Sequence, residues 1–148
     1  MTATKSRSDA GLATGLRISV SRLARRLRVE RQAEGLASLS DTQLAALAVL
    51  DRHGAMTPGE LAEHEKVQPP SMTRVISVLA DLQLVRREPH PSDRRQVVLT
   101  ATDVGRDLVI KARRRREAWL AQRLKELSPA ERAALRAAAP ILEKLSQA

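Results

Sequence analysis

Residues 67–105 constrain the fold of this chain more than any other segment, because the spacing of their apolar residues changes twice. From Pro69 the apolar residues recur every three or four positions, which is the period of an amphipathic helix. Two short runs of β-forming residues follow, at 84–88 and 96–100, and the turn-forming residues 89–93 separate them. A helix that continues into a hairpin, with further helices on both sides, is typical of a winged helix-turn-helix.

Capping boxes mark the helix starts. In this pattern a Ser or Thr side chain accepts a hydrogen bond from the backbone N–H three residues on, where a Glu or Gln side chain reaches back. Ser40, Thr57 and Ser128 each begin such a pattern, and Thr102 precedes a fourth start. With the apolar spacing, these signals predict six helices, at about 12–34, 41–53, 58–65, 69–82, 103–126 and 129–146.

The predicted fold class is mainly α with a small β-hairpin wing. Residues 1–11 are small and polar, which predicts a disordered N-terminal arm before a single domain over 12–148. Within that domain we expect a winged helix-turn-helix lobe at 36–101, flanked by helical segments at 12–35 and 102–148.

Composition excludes several kinds of site. The chain has no Cys, which excludes disulfides, zinc–thiolate centres and thiol redox sensors. It has one Trp and no Tyr or Phe, which argues against base-stacking surfaces for single-stranded nucleic acid. The formal net charge of +9 suits a polyanionic partner, but a chain rich in Ala and Arg is also what a GC-rich genome encodes. Charge alone therefore leaves two explanations open.

Neither a membrane span nor a catalytic site is predicted. No run approaches the ~20 apolar residues of a span, and the N-terminus lacks the apolar stretch of a secretory signal. We therefore expect a soluble, cytoplasmic protein. Catalysis needs a base within reach of a nucleophile or a metal. His53, His64 and His90 have no carboxylate or Cys neighbours at a useful spacing, so no enzyme, cofactor or metal site is expected.

The helix that begins at Pro69 has one apolar side and one side of small polar residues with a single Arg. Small hydroxyl side chains let a helix lie deep in the major groove of DNA, and Arg can donate two hydrogen bonds to a guanine edge. Each of these residues, taken alone, is as well explained by ordinary exposure to solvent as by contact with DNA. The adjoining helix and wing favour DNA recognition. The candidate major-groove residues are Gln68, Pro70, Ser71, Thr73, Arg74 and Ser77.

The predicted hairpin is basic at its tip and at its base. Arg94 and Arg95 lie where the hairpin turns, and Arg at such a tip can enter a narrow minor groove. Asp93 beside DNA would be repulsive, so we assign it an orienting role toward a neighbouring guanidinium, by ion pair or hydrogen bond. Arg86 and Arg87 at the wing base are expected to contact phosphates or to pair within the protein.

Two other basic stretches leave two interpretations open. The first predicted helix carries Arg on several faces, and the fifth carries four consecutive Arg at 113–116. Either stretch is a solvated helix surface or an additional contact to DNA.

From Leu39 to Gly105 the chain resembles the MarR family of bacterial winged helix-turn-helix transcriptional regulators. The wing motif Asp-x-Arg, followed by a Leu-Thr segment and a downstream Gly, is the most specific element, and weaker elements stand in the expected order around it. The matching residues are 39–43, 60–62, Thr73, Arg74, Leu79, 93–95, 99–102 and Gly105.

The resemblance implies a homodimeric regulator that binds double-stranded DNA, with the dimerisation helices at 12–35 and 102–148 interlocked. Such a protein is expected to repress from a pseudo-palindromic operator and to be released by a small aromatic or anionic effector, although the sequence places no effector residue. Trp119 would either anchor the dimer or fill the core. The alternative function is a winged-helix module that binds a protein or double-stranded RNA.

One residue departs from the family pattern. Family members often have Gly between the recognition helix and the wing, where this chain has Gln83. A left-handed helix cap strains any residue other than Gly, so we expect the helix to end differently here.

Overall fold

A computed structural model describes residues 8–32 and 39–148. The described elements follow the predicted order, so the mainly α fold with a β-hairpin wing is confirmed. They are α1 (Asp9–Gln32), α2 (Asp41–His53), α3 (Pro58–His64), α4 (Pro69–Asp81), β1 (Val85–Pro89), β2 (Val97–Ala101), α5 (Asp103–Leu124) and α6 (Pro129–Ser146).

All three predicted capping boxes are formed. The Ser40 side chain accepts from the Gln43 N–H at 3.1 Å, and Gln43 Oε1 accepts from the Ser40 N–H at 2.9 Å. The same reciprocal pair joins Thr57 to Glu60 at the start of α3. These local bonds satisfy backbone donors that the first turn of a helix leaves unpaired, which is why the helix starts were readable from the sequence.

The first helix begins earlier than predicted. Ser8 Oγ accepts from the Gly11 N–H at 3.2 Å, and the helix starts at Asp9. Residues 9–11 are therefore helical, and their assignment to a disordered arm was wrong. Residues 1–7 of that arm lie outside the described residues, as do residues 33–34, the predicted end of the first helix.

The described residues fall into two compact units. One comprises 31–32 and 39–114 and holds the last residues of α1, then α2, α3, α4, the hairpin and the first three turns of α5. Gly105, Val109 and Ala112 are buried in its core, so this part of α5 belongs to the winged lobe. The division differs from the lobe boundary expected at residue 101. The largest fully buried side chains of the lobe are Leu47, Leu50, Leu61, Met72, Leu79 and Leu99.

The wing is an antiparallel hairpin with a third contribution from the segment before α3. Val85 pairs with Ala101, and Pro89 pairs with Val97. Each strand begins one residue later than predicted. Met56 also bonds to Leu99 through both backbone groups, at 3.2 and 2.7 Å. This single-residue bridge ties the helix-turn-helix to the wing and was not predicted.

The end of α4 keeps the left-handed cap that the sequence argued against. Gln83 has a φ of 58°, its N–H donates to the Ala80 carbonyl, and the Leu84 N–H donates to the Leu79 carbonyl at 2.9 Å. This is a complete Schellman cap. The expectation of a different helix end was therefore wrong: buried Leu84 and Leu79 hold the turn, although Gln pays a steric penalty there.

The second unit comprises 8–30 and 115–148, and none of these residues is buried in a single chain. Trp119 is half-buried between two guanidinium groups, with Arg26 at 5.4 Å and Arg123 at 5.7 Å from the ring centre. Large apolar side chains stay exposed on both outer helices; they are Leu12, Val20, Leu23 and Val29 on α1, and Leu135, Ile141, Leu142 and Leu145 on α6.

No helix in the described part of the chain combines the length and apolar character needed to cross a membrane.

Candidate nucleic-acid interface

Helix α4 has the two faces that the sequence predicted. Met72, Val75, Ile76 and Leu79 are buried in the lobe. The candidate residues on the other side are exposed, except that Ser77 is half-buried; the exposed ones are Pro70, Ser71, Thr73 and Arg74. The buried face fixes how the helix is rotated, so the polar face is presented to solvent as a unit.

The start of α4 offers few backbone donors. Gln68 is the N-cap, and its side chain makes no capping hydrogen bond. Pro69 and Pro70 follow, and proline has no N–H. Of the four N–H groups that a helix start leaves unpaired, only those of Gln68 and Ser71 therefore remain. A ligand at this end would meet the exposed Gln68 amide and the Ser71 hydroxyl rather than a row of backbone amides.

Thr73 and Arg74 differ in what they can donate. Thr73 Oγ1 donates to the Pro69 carbonyl at 3.0 Å, so its hydroxyl hydrogen is used inside the helix. It can present only lone pairs and a methyl group to a partner. Arg74 is exposed, and within the described residues it makes no hydrogen bond or ion pair. Its guanidinium therefore keeps all five N–H donors for an external acceptor.

Asp93 organises the wing tip through the backbone. Its carboxylate accepts from the Arg95 N–H at 3.0 Å and from the Gln96 side-chain amide at 3.4 Å. The predicted orienting role toward a guanidinium is thus corrected: Asp93 holds the main chain of Arg95, and both Arg94 and Arg95 leave their side chains exposed.

His90 is a wing residue that sequence reasoning missed. Its Nδ1 accepts from the N–H groups of Ser92 and Asp93, both at 3.1 Å, and lies 3.3 Å from Ser92 Oγ. The His90 N–H donates to the Gln96 carbonyl at 3.1 Å, which closes the turn. The signal available in the sequence was the order His-Pro-Ser-Asp, in which an acceptor side chain precedes Pro in a turn.

The two arginines at the wing base have different surroundings. Arg86 lies 3.5 Å from a Glu88 carboxylate oxygen, so it has a partner within its own strand. Arg87 is exposed and makes no ion pair with another described residue. Of the two alternatives left open for this pair, internal pairing therefore fits Arg86, and an external phosphate fits Arg87.

The remaining charged groups form no obvious catalytic or metal site. In the described part of the chain, no three His, Asp or Glu side chains are grouped so as to hold a metal ion. The His53 and His64 rings contact each other with centres 4.9 Å apart, at the ends of α2 and α3. In the basic run on α5, Arg113 and Arg114 are exposed, whereas Arg115 and Arg116 are half-buried.

Comparison with known proteins agrees with the geometry of the lobe. The MarR family model matches residues 39–97, which cover α2 to the start of β2. An HTH-type transcriptional regulator of Mycobacterium bovis is 52% identical over 135 residues, which is 91% of this chain and 92% of that protein. The chain belongs to the MarR family of transcriptional regulators.

Other MarR-type relatives extend the likeness to the whole fold. A putative transcriptional regulator from Pseudomonas aeruginosa, known from its crystal structure, is 34% identical and aligns over 96% of this chain and 99% of its own, with a TM-score of 0.80. An HTH-type transcriptional repressor of Bacillus subtilis is 33% identical over 110 residues, or 74% of this chain and 69% of that protein. These relatives are regulators and not enzymes, which confirms that prediction.

Proposed function

We propose that this MarR-family regulator is a homodimeric repressor that binds a pseudo-palindromic DNA operator. The observation that carries the proposal is Arg74: an unpaired guanidinium on the exposed face of α4, whose opposite face is locked in the core. A helix held in this way can enter the major groove with one defined side toward the bases.

Each candidate residue takes the role that its surroundings allow. Arg74 donates to a base edge, and Gln68, Ser71 and Thr73 contact neighbouring bases or phosphates. Pro70 supplies apolar contact, and half-buried Ser77 lies at the margin of the interface. At the wing, exposed Arg94 and Arg95 reach the minor groove and Arg87 reaches a phosphate.

Dimerisation is supported by the apolar side chains that one chain leaves in water. On α6, Ile141 and Leu145 are 60% and 59% exposed, and α1 leaves a similar set uncovered. A second copy would bury these side chains. A two-fold dimer would also place two α4 helices in successive major grooves, about 34 Å apart, which requires a palindromic operator. Repression is supported by the Bacillus subtilis relative, which is named a repressor.

A gel-shift assay on the protein's own promoter tests the major-groove assignment. Arg74→Ala should weaken specific binding by about 1–3 kcal/mol and relax base preference. Arg136→Ala removes the same charge from an exposed position on α6 and serves as the control. Arg95→Ala should weaken binding with less effect on major-groove sequence choice. If both Arg74→Ala and Arg95→Ala bound as tightly as the parent at physiological salt, the assignment would be wrong.

A competition assay separates DNA binding from the alternative of double-stranded RNA. The major groove of an RNA duplex is too deep and narrow to admit a helix, so an RNA duplex of the same sequence should compete poorly. Equal competition by RNA and DNA duplexes would contradict insertion of α4 into a major groove.

Sedimentation velocity tests the dimer. Ile141→Glu places a charge in the apolar face of α6 and should shift the protein toward monomer at micromolar concentration. Ala133→Glu adds the same charge at an exposed position of α6 that is not three or four residues from any of its exposed apolar side chains, and it should leave the dimer intact. A parent protein that sediments as a monomer would contradict the proposed assembly.

Release by a small aromatic or anionic effector is proposed on the family resemblance alone. Thermal-shift measurements against a set of aromatic acids, followed by gel shifts with any compound that stabilises the protein, test it. An effector should raise the melting temperature by mass action and release the operator. No stabilisation by any of the acids would indicate a regulator that works without such a ligand.

A further inference from the structure

One imidazole nitrogen holds the wing tip in shape. His90 Nδ1 receives two backbone N–H groups, from Ser92 and Asp93, each at 3.1 Å. The second of these residues then uses its carboxylate to hold the Arg95 N–H at 3.0 Å. The main chain that carries Arg94 and Arg95 is therefore positioned through a relay that begins at His90.

The relay requires a neutral imidazole. A histidine nitrogen accepts hydrogen bonds only when it carries no hydrogen, so His90 must have its proton on Nε2. In the imidazolium form both ring nitrogens carry a hydrogen and only donate. The Nδ1 hydrogen would then point at the two backbone N–H groups and repel them. Histidine side chains change charge between about pH 5 and 8, which lies within the range that cells experience.

We infer that His90 is a positioning residue for DNA binding, and that its protonation releases the wing tip and weakens the wing's contact with the operator. The inference rests on the proposed function for its effect on DNA. The wing geometry itself does not depend on that function. The contribution of the relay is present while Nδ1 of His90 carries no hydrogen, and it is lost when Nδ1 gains one.

The acidic groups of the hairpin already have hydrogen-bond or ion-pair partners, and the arginines of the wing tip are exposed. Glu88 pairs with Arg86, and the Asp93 carboxylate accepts from Arg95 N–H and the Gln96 amide. Arg94 and Arg95 side chains are exposed. Among the described contacts of His90, no carboxylate oxygen lies within hydrogen-bond distance of the ring to stabilise its charged form.

Asparagine offers a matched replacement. Asn Oδ1 is bonded to Cγ, as His Nδ1 is, and an Asn side chain commonly accepts the N–H two residues on in a turn. Asn cannot be protonated in this range. His90→Asn should therefore keep the wing tip folded at every pH, whereas His90→Ala removes the acceptor at every pH. His53 and His64 remain in all three proteins, so a difference between the proteins comes from position 90.

NMR of the free protein tests the relay without DNA. As the His90 ring titrates, the amide signals of Ser92, Asp93 and Arg95 should move with the same midpoint in the parent protein. In His90→Asn they should stay in place. Amide signals that ignore the titration of the ring in the parent protein would overturn the inference, whatever the protein does with DNA.

Operator binding at two pH values tests the consequence. At pH 8 the parent and His90→Asn should bind alike, and His90→Ala should be weaker. Below the midpoint that NMR gives for the ring, the parent should bind roughly 2- to 12-fold more weakly than His90→Asn, which is the effect of about one lost hydrogen bond. An unchanged ratio, or tighter binding by the parent because an imidazolium attracts phosphate, would overturn it. If no variant binds DNA at pH 8, the proposed function fails while the NMR result still decides the relay.

Discussion

Thr102 Oγ1 donates a 2.7 Å hydrogen bond to the carbonyl oxygen of Gln83. The bond joins the residue immediately before α5 to the left-handed residue that follows α4. The same hydroxyl oxygen accepts from the Gly105 N–H at 3.1 Å. The Thr102 N–H donates to the Leu84 carbonyl at 3.0 Å. One threonine therefore caps α5 and fixes the strained turn between the candidate recognition helix and the wing.

Removing that hydroxyl should destabilise the lobe. Thr102→Val keeps the shape of the side chain but loses one donor and one acceptor, so the free energy of unfolding should fall by about 1–3 kcal/mol. Thr100→Val is the matched control, because Thr100 lies two residues earlier on β2, is half-buried like Thr102, and has no described hydrogen bond of its side chain. Urea denaturation measures both. Equal losses for the two variants would show that the hydroxyl of Thr102 has no special role.

Gly105 should not tolerate even a methyl group. A Cβ at this position would overlap the Leu84 carbonyl oxygen and lie 3.1 Å from Leu47 Cδ1. We expect Gly105→Ala to cost about 1–3 kcal/mol of stability, because backbone and core must both move. Gly15→Ala on α1, where a Cβ would meet nothing within 4 Å, should instead stabilise its helix. A stable Gly105→Ala protein would mean that α5 does not approach the Leu84 carbonyl so closely.

Gln83 should be better replaced by glycine. Its φ of 58° is unfavourable for a residue with a side chain, so Gln83→Gly should raise the free energy of unfolding by about 0.5–1 kcal/mol. The same change at Gln122, within regular helix in α5, should lower it by about 0.5 kcal/mol. Because the two changes in unfolding free energy are expected to have opposite signs, one series of urea denaturation curves tests the left-handed conformation at position 83. Destabilisation in both variants would argue against a left-handed residue at 83.

The start of α6 has a measurable pH signature. Hydrogen bonds from the Ser128 backbone N–H and side chain lower the pKa of Glu131 below its usual 4.5. Because the folded-state pKa is depressed, the stabilisation is complete above pH 4.5 and is lost as the pH falls through the folded-state pKa. Ser128→Ala should move the pKa of Glu131 back toward 4.5 in an NMR titration. Ser146→Ala, at the other end of α6, should leave that pKa alone; equal shifts in both variants would contradict the capping explanation.

Helix starts and faces were predictable because their causes are local. The capping partners at Ser40, Thr57 and Ser128 lie three residues apart in sequence, and each pair formed as expected. The polar face of α4 followed from a spacing of three and four residues around Met72 and Leu79. No tertiary contact has to be known to draw either conclusion.

Two of the features that the sequence did not predict depend on contacts between distant segments. Gln83 keeps a left-handed cap because Leu84 is buried and because Thr102, far along the chain, binds its carbonyl. The Met56 bridge involves a single residue, which has no periodicity to detect. The partner of Asp93 was misassigned because charge pairing suggests a guanidinium, whereas the turn brings a backbone N–H closer.

The aromatic composition allows the second unit to be followed by intrinsic fluorescence. Trp119 is the chain's single tryptophan, and there is no tyrosine or phenylalanine, so ultraviolet-excited emission comes from one indole between Arg26 and Arg123. A change in that emission reports on the second unit, which contains Trp119, and not directly on the winged lobe. Titration with operator DNA therefore offers a label-free optical readout of whether binding at the lobe changes the second unit.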